Sequence, residues 1–181
     1  MAGTYSVESG EKFGVRSGID SNLNGDNAGD RTIINLAGIK NTGTKVHAVN
    51  SSGATVPLGD PSTVAYVANS STAQYVQAGF GARSNAGRNT ISLPIINNLD
   101  FSVFKNFRIS EGMKLQFRVD MFNAFNHPQF VPGSVNGVEA TSQTSAAATN
   151  LVTVGTADFN RPDLVFSSHP RVIQLALRFN F

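Results

Sequence analysis

The residues best suited to chemistry lie in one short segment, "DSNLNGDNAGD", residues 20–30. Oxygen-bearing side chains stand at its alternate positions, and Gly25 takes the sixth, where a calcium-binding loop needs a tight turn. The twelfth position, where a bidentate glutamate is expected, is Arg31 instead. The segment therefore predicts either a calcium loop or a surface turn, because Asn, Asp and Gly form turns without a metal. The candidate calcium ligands are Asp20, Asn22, Asn24, Asp26 and Asp30.

No other set of residues forms a catalytic pattern. The sequence contains no GxSxG, no HExxH and no phosphate-binding loop. His47, His127 and His169 stand far apart in predicted loops, which argues against a histidine metal site. Asp100 and Asp120 could face each other across a hairpin, but nearby Lys and Arg favour a salt-bridged surface over paired catalytic carboxylates. We expect no enzyme, and calcium is the one cofactor that the sequence suggests.

The composition limits the class of protein. The chain has 181 residues, of which 40% are hydrophobic, which is enough for a folded core. Only 14% are charged, below the roughly 25% usual in soluble domains. The 14 Lys and Arg form no cluster, so we expect no nucleic-acid partner. The absence of cysteine excludes disulfides and thiolate metal sites.

Strands are predicted where apolar and polar residues alternate. The pattern is clear near 97–107, 114–126 and 169–181, with a weaker fourth candidate near 11–18. The short polar segment "RISEGMK", which contains Gly112, predicts a hairpin between the first two. A single β domain over 1–181 is therefore expected.

The last strand continues to the final residue of "RVIQLALRFNF". Its alternate residues are apolar, and a terminus this regular indicates that something specific binds it, because ordinary termini fray. We therefore predict that it is an assembly strand. Its apolar face consists of Ile173, Leu175, Leu177, Phe179 and Phe181.

Two connections, 19–96 and 127–168, are too long for ordinary loops in a compact domain. A short turn at one end of the strands and long loops at the other are typical of outer-membrane β-barrels. Four long strands cannot close a barrel, since about eight are needed. The fold class expected is all-β: antiparallel barrel-type strands with long structured loops, in an open sheet completed by neighbouring chains.

Several segments together resemble a known family: "GIDSNLNGDNAGDR", "NAGRNTISLPIINNLDFSVFKNFRI", "LQFRVDMFNAFNHPQF" and "HPRVIQLALRFNF". They are similar to the C-terminal β-barrel region of Oar-like TonB-dependent outer-membrane receptors of the acidobacterial type, over about 17–181. The resemblance implies a bacterial cell-surface location, outer membrane or extracellular, and a terminal strand that the barrel-assembly machinery reads. The chain departs from the family in lacking a plug domain and most of about 22 barrel strands.

Three functions are compatible with these features. The favoured prediction is a nonenzymatic structural protein that self-assembles by strand pairing into a homo-oligomer or polymer, as an extracellular or cell-surface filament subunit. The alternative is a C-terminal fragment of an outer-membrane TonB-dependent receptor that acts in substrate uptake. A third is an extracellular ligand-binding module formed by the long loops.

Overall fold

A computed structural model describes residues 1–26, 30–130 and 150–181. The described chain is almost entirely β, in four sheets of which none closes into a barrel, and the all-β prediction is confirmed. The elements are β1 (Ala2–Glu8), β2 (Lys12–Phe13), β3 (Ile33–Ile34), β4 (Ile39–Thr44), β5 (Val46–Asn50), β6 (Thr55–Val56), β7 (Thr63–Ala68), β8 (Ala73–Val76), β9 (Ile91–Ser92), β10 (Ile96–Ser110), β11 (Met113–Phe122), α1 (Pro162–Val165) and β12 (Val172–Asn180).

The chain divides into two compact units. That the two together form the single domain expected over 1–181 stays a prediction. The described residues of unit 1 are 1–10, 94–130 and 166–181, and those of unit 2 are 11–26, 30–93 and 150–165. The division has a physical reason, because the long connection before β10 buries apolar side chains of its own.

Unit 1 is built on one four-stranded sheet in the order β1-β10-β11-β12, with every pair antiparallel. The predicted hairpin is confirmed as β10 and β11, which pair from Phe101 with Met121 to Ser110 with Met113. The turn between them places Gly112 at φ +91°, a left-handed conformation that glycine adopts without strain.

The fourth strand of this sheet differs from the prediction. It is Ala2–Glu8, which pairs with β10, whereas the expected strand near 11–18 forms only Lys12–Phe13 in unit 2. The reason is burial: Phe13 and Val15 are both fully buried and belong to the core of unit 2. Their alternation therefore reflects a packed interior and not a long barrel-type strand.

Unit 2 contains three small sheets, β2-β9, β3-β8-β4 and β6-β5-β7, and β4 with β8 is their one parallel pair. The connection 19–96 is therefore structured, as expected. Of the predicted loop 127–168, residues 131–149 lie outside the described part of the chain. The core of unit 2 is made by Phe13, Val15, Val46, Ala48, Ala73, Tyr75, Ala78, Ala86, Ile91, Leu93, Leu151, Val152 and Val154.

Candidate functional site

The sheet of unit 1 has an apolar face, because residues that are partners across its strands carry the same kind of side chain. Val103, Val119 and Leu175 form one such row, and Phe107, Leu115 and Phe179 form another. Lys105, opposite Phe117, is a charged exception within this face. The apolar face comprises Tyr5, Val7, Leu99, Phe101, Val103, Phe107, Ile109, Met113, Leu115, Phe117, Val119, Met121, Ile173, Leu175, Leu177 and Phe179.

Many of these side chains are exposed. Leu175 is 66% and Leu177 69% exposed, although both lie within a hydrogen-bonded strand. A contiguous exposed apolar surface of this kind marks an interface with a membrane or with another protein.

The opposite, polar face carries linked hydrogen bonds. Ser102 Oγ donates to Asp120 Oδ1 over 2.6 Å, and Arg118 Nε donates to the same oxygen over 2.9 Å. Near the other end of the hairpin, Gln116 Nε2 donates to Asn106 Oδ1 over 2.9 Å. The polar face comprises Thr4, Ser6, Glu8, Asn98, Asp100, Ser102, Asn106, Arg108, Lys114, Gln116, Arg118, Asp120, Gln174, Arg178 and Asn180, with Ala2, Ile96, Phe104, Phe122, Val172 and Ala176 as apolar members.

The two aspartates of this face have separate surroundings. Asp120 lies directly opposite Ser102 and binds it. Asp100 accepts hydrogen bonds at Oδ1 from Asn98 Nδ2 and from the backbone N–H of Asn123. Asp120 therefore forms a salt bridge with Arg118, whereas Asp100 is held by hydrogen bonds.

The sheet has two open edges within the described residues, β1 on one side and β12 on the other. Because β1 begins opposite Ser102, the part of β10 from Val103 onward has no partner on that side in the described part of the chain. Unpaired backbone groups along an edge are a template for a further strand.

The predicted assembly strand is β12 together with Phe181. Ile173, Leu175, Leu177 and Phe179 lie on the apolar face, opposite the apolar residues of β11. Phe181 follows the strand, is 95% exposed and lies 6.0 Å from the ring of Phe179. The geometry fits the assembly strand, whose role stays a prediction.

We call the end of the sheet where β10 begins and β11 ends the loop end. It contains a buried polar cluster that sequence reasoning missed. Asn123 Nδ2 donates to the carbonyl oxygens of His127 and His169, over 2.8 and 2.9 Å. Gln129 binds both the backbone N–H and the carbonyl of Asn97. Asn123 has φ +49°, and asparagine after a strand is a local signal for this conformation. Nothing local marks Gln129, because its partner is 32 residues away.

The candidate calcium loop lies in unit 2 and folds as a series of Asx turns. Asp20 accepts the backbone N–H groups of Asn24 and Gly25, over 3.0 and 2.8 Å. Asn22 accepts the N–H of Asn24, and Asn24 that of Asp26. Calcium binding by these side chains stays a prediction.

Asp30, the fifth candidate ligand, is buried and takes a different role. Its Oδ2 accepts the backbone N–H groups of Ser21 and Asn22, over 2.5 and 3.4 Å. Among the residues that the structure describes, no three His, Cys, Asp or Glu side chains come together as a metal-binding group.

The three histidines have separate environments. His47 Nδ1 lies 2.7 Å from Asn69 Oδ1 in unit 2. His169 Nδ1 lies 3.0 Å from the carbonyl oxygen of Gln129 in unit 1. His47 and His169 are therefore each accounted for by a hydrogen bond, whereas His127 Nδ1 is buried and has no hydrogen-bond partner among the described residues.

The described part of the chain holds no helix with the length and hydrophobicity to span a bilayer.

Comparison with known proteins gives one family. The family model described as "Outer membrane beta barrel domain" matches residues 1–174, nearly the whole chain. No curated protein and no solved structure matches the chain significantly.

Proposed function

The chain belongs to the outer membrane β-barrel domain family and is therefore a protein of the bacterial outer membrane, and from that premise we propose that it supplies the C-terminal strands of a barrel that acts in substrate uptake. The barrel would be of the Oar-like TonB-dependent receptor type, which the resemblance of its sequence segments supports. The role is nonenzymatic. One observation carries the proposal: the sheet of unit 1 is apolar on one face and polar on the other.

The dimensions of the sheet support this role. β10, β11 and β12 have 15, 10 and 9 residues, against the 9–11 that a transmembrane strand needs. In a barrel wall the apolar face meets lipid and the polar face lines the interior. A substrate passing through the interior would then meet the polar face, whose hydrogen-bonding groups suit a hydrated molecule.

The open edges define what completes the barrel. About eight strands are the minimum for closure, so further strands must pair with β1 and with β12. Within lipid, each unpaired backbone group costs several kcal/mol. The strands that pair with these edges are therefore part of the functional assembly.

A second candidate, self-assembly into a cell-surface filament, is favoured by the same edges. If copies of the chain supply the missing strands, a rotation that closes gives a ring, and one that does not close gives a filament. β12 suits this role because it is exposed along its whole length and is followed by an exposed aromatic residue, Phe181. In the first candidate, the barrel-assembly machinery reads this strand instead.

The test uses the full chain with and without a membrane. We expect the purified chain to float with lipid vesicles and to need detergent for dispersal. Ordered polymers in electron micrographs of detergent-free samples would support the filament. A compact, monodisperse monomer without detergent at high concentration would contradict both candidates.

A matched pair of substitutions tests the terminal strand. Phe181→Ser removes an exposed ring, and Asn180→Ser changes the neighbouring polar residue of β12. Phe181→Ser should reduce insertion in cells if the assembly machinery reads the strand, and polymer formation if copies pair through it. Equal effects of the two substitutions would show that Phe181 has no specific role in either insertion or polymer formation.

A further inference from the structure

A cavity opens on the polar face of the sheet of unit 1, at the loop end. Its volume is ≈ 580 Å³, within the roughly 300–1,000 Å³ typical of small-molecule sites. Strand residues Ser6, Asn98 and Asp100 line one side, and Ser167 and His169 line another. Phe122 adds an aromatic ring to the wall. We call this space the loop-end cavity.

Buried amides hold the wall of this cavity in place. Asn123 and Gln129 both line it, and they are only 6% and 5% exposed. Asn123 bonds to the backbone of His127 and His169, and Gln129 to the backbone of Asn97 and His127. The side chains facing the cavity therefore stand on a backbone that is already ordered, which reduces the entropy lost on binding.

Several polar groups of the wall keep hydrogen-bonding capacity. Asp100 receives its two hydrogen bonds at Oδ1, so Oδ2 has no partner within the described residues. Asn98 donates through Nδ2 and retains Oδ1 as an acceptor. A carbonyl oxygen only accepts, so His169 Nδ1 is the donor to Gln129, and the tautomer with its proton on Nδ1 presents Nε2 as an acceptor. The hydroxyls of Ser6 and Ser167 can donate as well as accept.

We propose that the loop-end cavity binds a saccharide. Its available groups are mostly acceptors, which suit the hydroxyl donors of a sugar ring. They are spread over β1, β10 and the segment before β12, which suits a ligand with several separate hydroxyls. The ring of Phe122, with Ile96 and Val172, offers an apolar surface to the C–H groups of the sugar.

The same wall disfavours other classes of ligand. Among the residues that the structure describes, no Lys or Arg lines the cavity, and the carboxylate of Asp100 repels phosphates and carboxylates. One carboxylate and one imidazole are too few for a metal that needs four or more protein ligands. A single organic ammonium group would satisfy Asp100 and leave the dispersed acceptors unused.

The inference rests on the proposed function, because the polar face of the folded sheet must be in contact with water for a saccharide to reach the cavity. The experiment uses the full chain in micelles of an uncharged detergent without a sugar headgroup, such as octyl tetraoxyethylene. Circular dichroism first establishes the folded sheet. Saturation-transfer difference spectra are then recorded with glucose, xylose, maltose and cellobiose as probes, and with choline. We expect at least one saccharide to bind and choline not to bind.

Two pairs of variants localise the binding. Asn98→Leu and Ser6→Val alter the cavity, whereas Asn106→Leu and Thr4→Val change the same residue type or a similar one on the same strand and face, at positions that do not line the cavity. Each cavity variant should weaken binding about threefold to tenfold, the effect of one lost hydrogen bond, and each control should leave it unchanged.

Three results would overturn the inference. They are a folded chain that binds no saccharide of the panel, binding of choline in place of sugars, and controls that weaken binding as much as the cavity variants. None of these would affect the barrel proposal, which fails if the purified chain is a compact, monodisperse monomer without detergent.

Discussion

Unit 1 and unit 2 bury opposite kinds of side chain. Among the described residues, every buried hydrophobic side chain belongs to unit 2. The buried side chains of unit 1 are polar, namely those of Asp120, Asn123 and Gln129, whereas its leucines and phenylalanines are half-buried or exposed. Unit 2 is thus organised like a protein in water. Unit 1 is organised for contact with lipid on one face, where exposing apolar side chains carries no hydration cost.

The largest effect should come from the core of unit 2. Phe13 is fully buried there, so Phe13→Ala should lower the free energy of unfolding of unit 2 by about 3–5 kcal/mol. Hydrogen exchange followed by mass spectrometry can assign the loss of protection to peptides of unit 2. Leu36→Ala is the control, because Leu36 is 95% exposed and should change stability by less than about 0.5 kcal/mol. Similar losses of stability from both substitutions would contradict a buried apolar core in unit 2.

The second prediction concerns the apolar face of unit 1. Leu175→Arg places a charge on that face, and Ala176→Arg places the same charge on the polar face of the same strand. Leu175→Arg should weaken insertion into vesicles by about 2–4 kcal/mol, the cost of arginine at the middle of a lipid-facing strand. Ala176→Arg should have a much smaller effect. Flotation with lipid vesicles measures both, and equal effects would mean that lipid does not cover the apolar face.

Lys105 allows the reverse experiment. It lies on the apolar face of β10 between Val103 and Phe107, where lysine facing lipid is unfavourable. Lys105→Leu should therefore strengthen insertion, by about 2 kcal/mol if the residue meets the bilayer centre. Lys114→Leu on the polar face is the control and should give no gain. Weaker insertion of Lys105→Leu would show that Lys105 contacts a partner instead.

Calcium would sharpen the difference between the units, because its candidate loop lies in unit 2 alone. A chelator should lower the melting temperature of unit 2, by the equivalent of about 1.4 kcal/mol when the free calcium is ten times the dissociation constant. Asp20→Ala should abolish the difference between melts with and without chelator. If the chelator leaves the melting temperature of the unmodified chain unchanged, the loop does not bind calcium.

The smallest effect concerns pH and Asp60 in unit 2. The hydroxyl and backbone N–H of Ser62 donate to Asp60 and hold the pKa of this carboxyl below its ordinary value of 3.8. A lowered pKa in the folded state stabilises it above pH 3.8, and this stabilisation is lost as the pH falls through the folded-state pKa. Ser62→Ala should therefore melt slightly earlier than the unmodified chain at pH 6, and the difference should shrink near pH 2. A constant difference would mean that Asp60 titration is not involved.

Local patterns account for what could be predicted. The alternation in β10, β11 and β12 follows from the pleat of a single strand, so it can be read from each segment by itself, as can the turn at Gly112. Phe104 interrupts the alternation in the sequence, and the structure accordingly places it on the polar face opposite Arg118. The Asx turns around Gly25 are equally local.

The sequence by itself determined the all-β class, the two-faced strands and the hairpin, because each depends on residues within a few positions of one another. Only the tertiary structure decided that Ala2–Glu8 is the fourth strand, that Phe13 belongs to a separate core, and that Gln129 holds Asn97. These choices depend on which distant segments pair most favourably. That selection is a property of the whole folded chain, because many segments could satisfy the same local pattern.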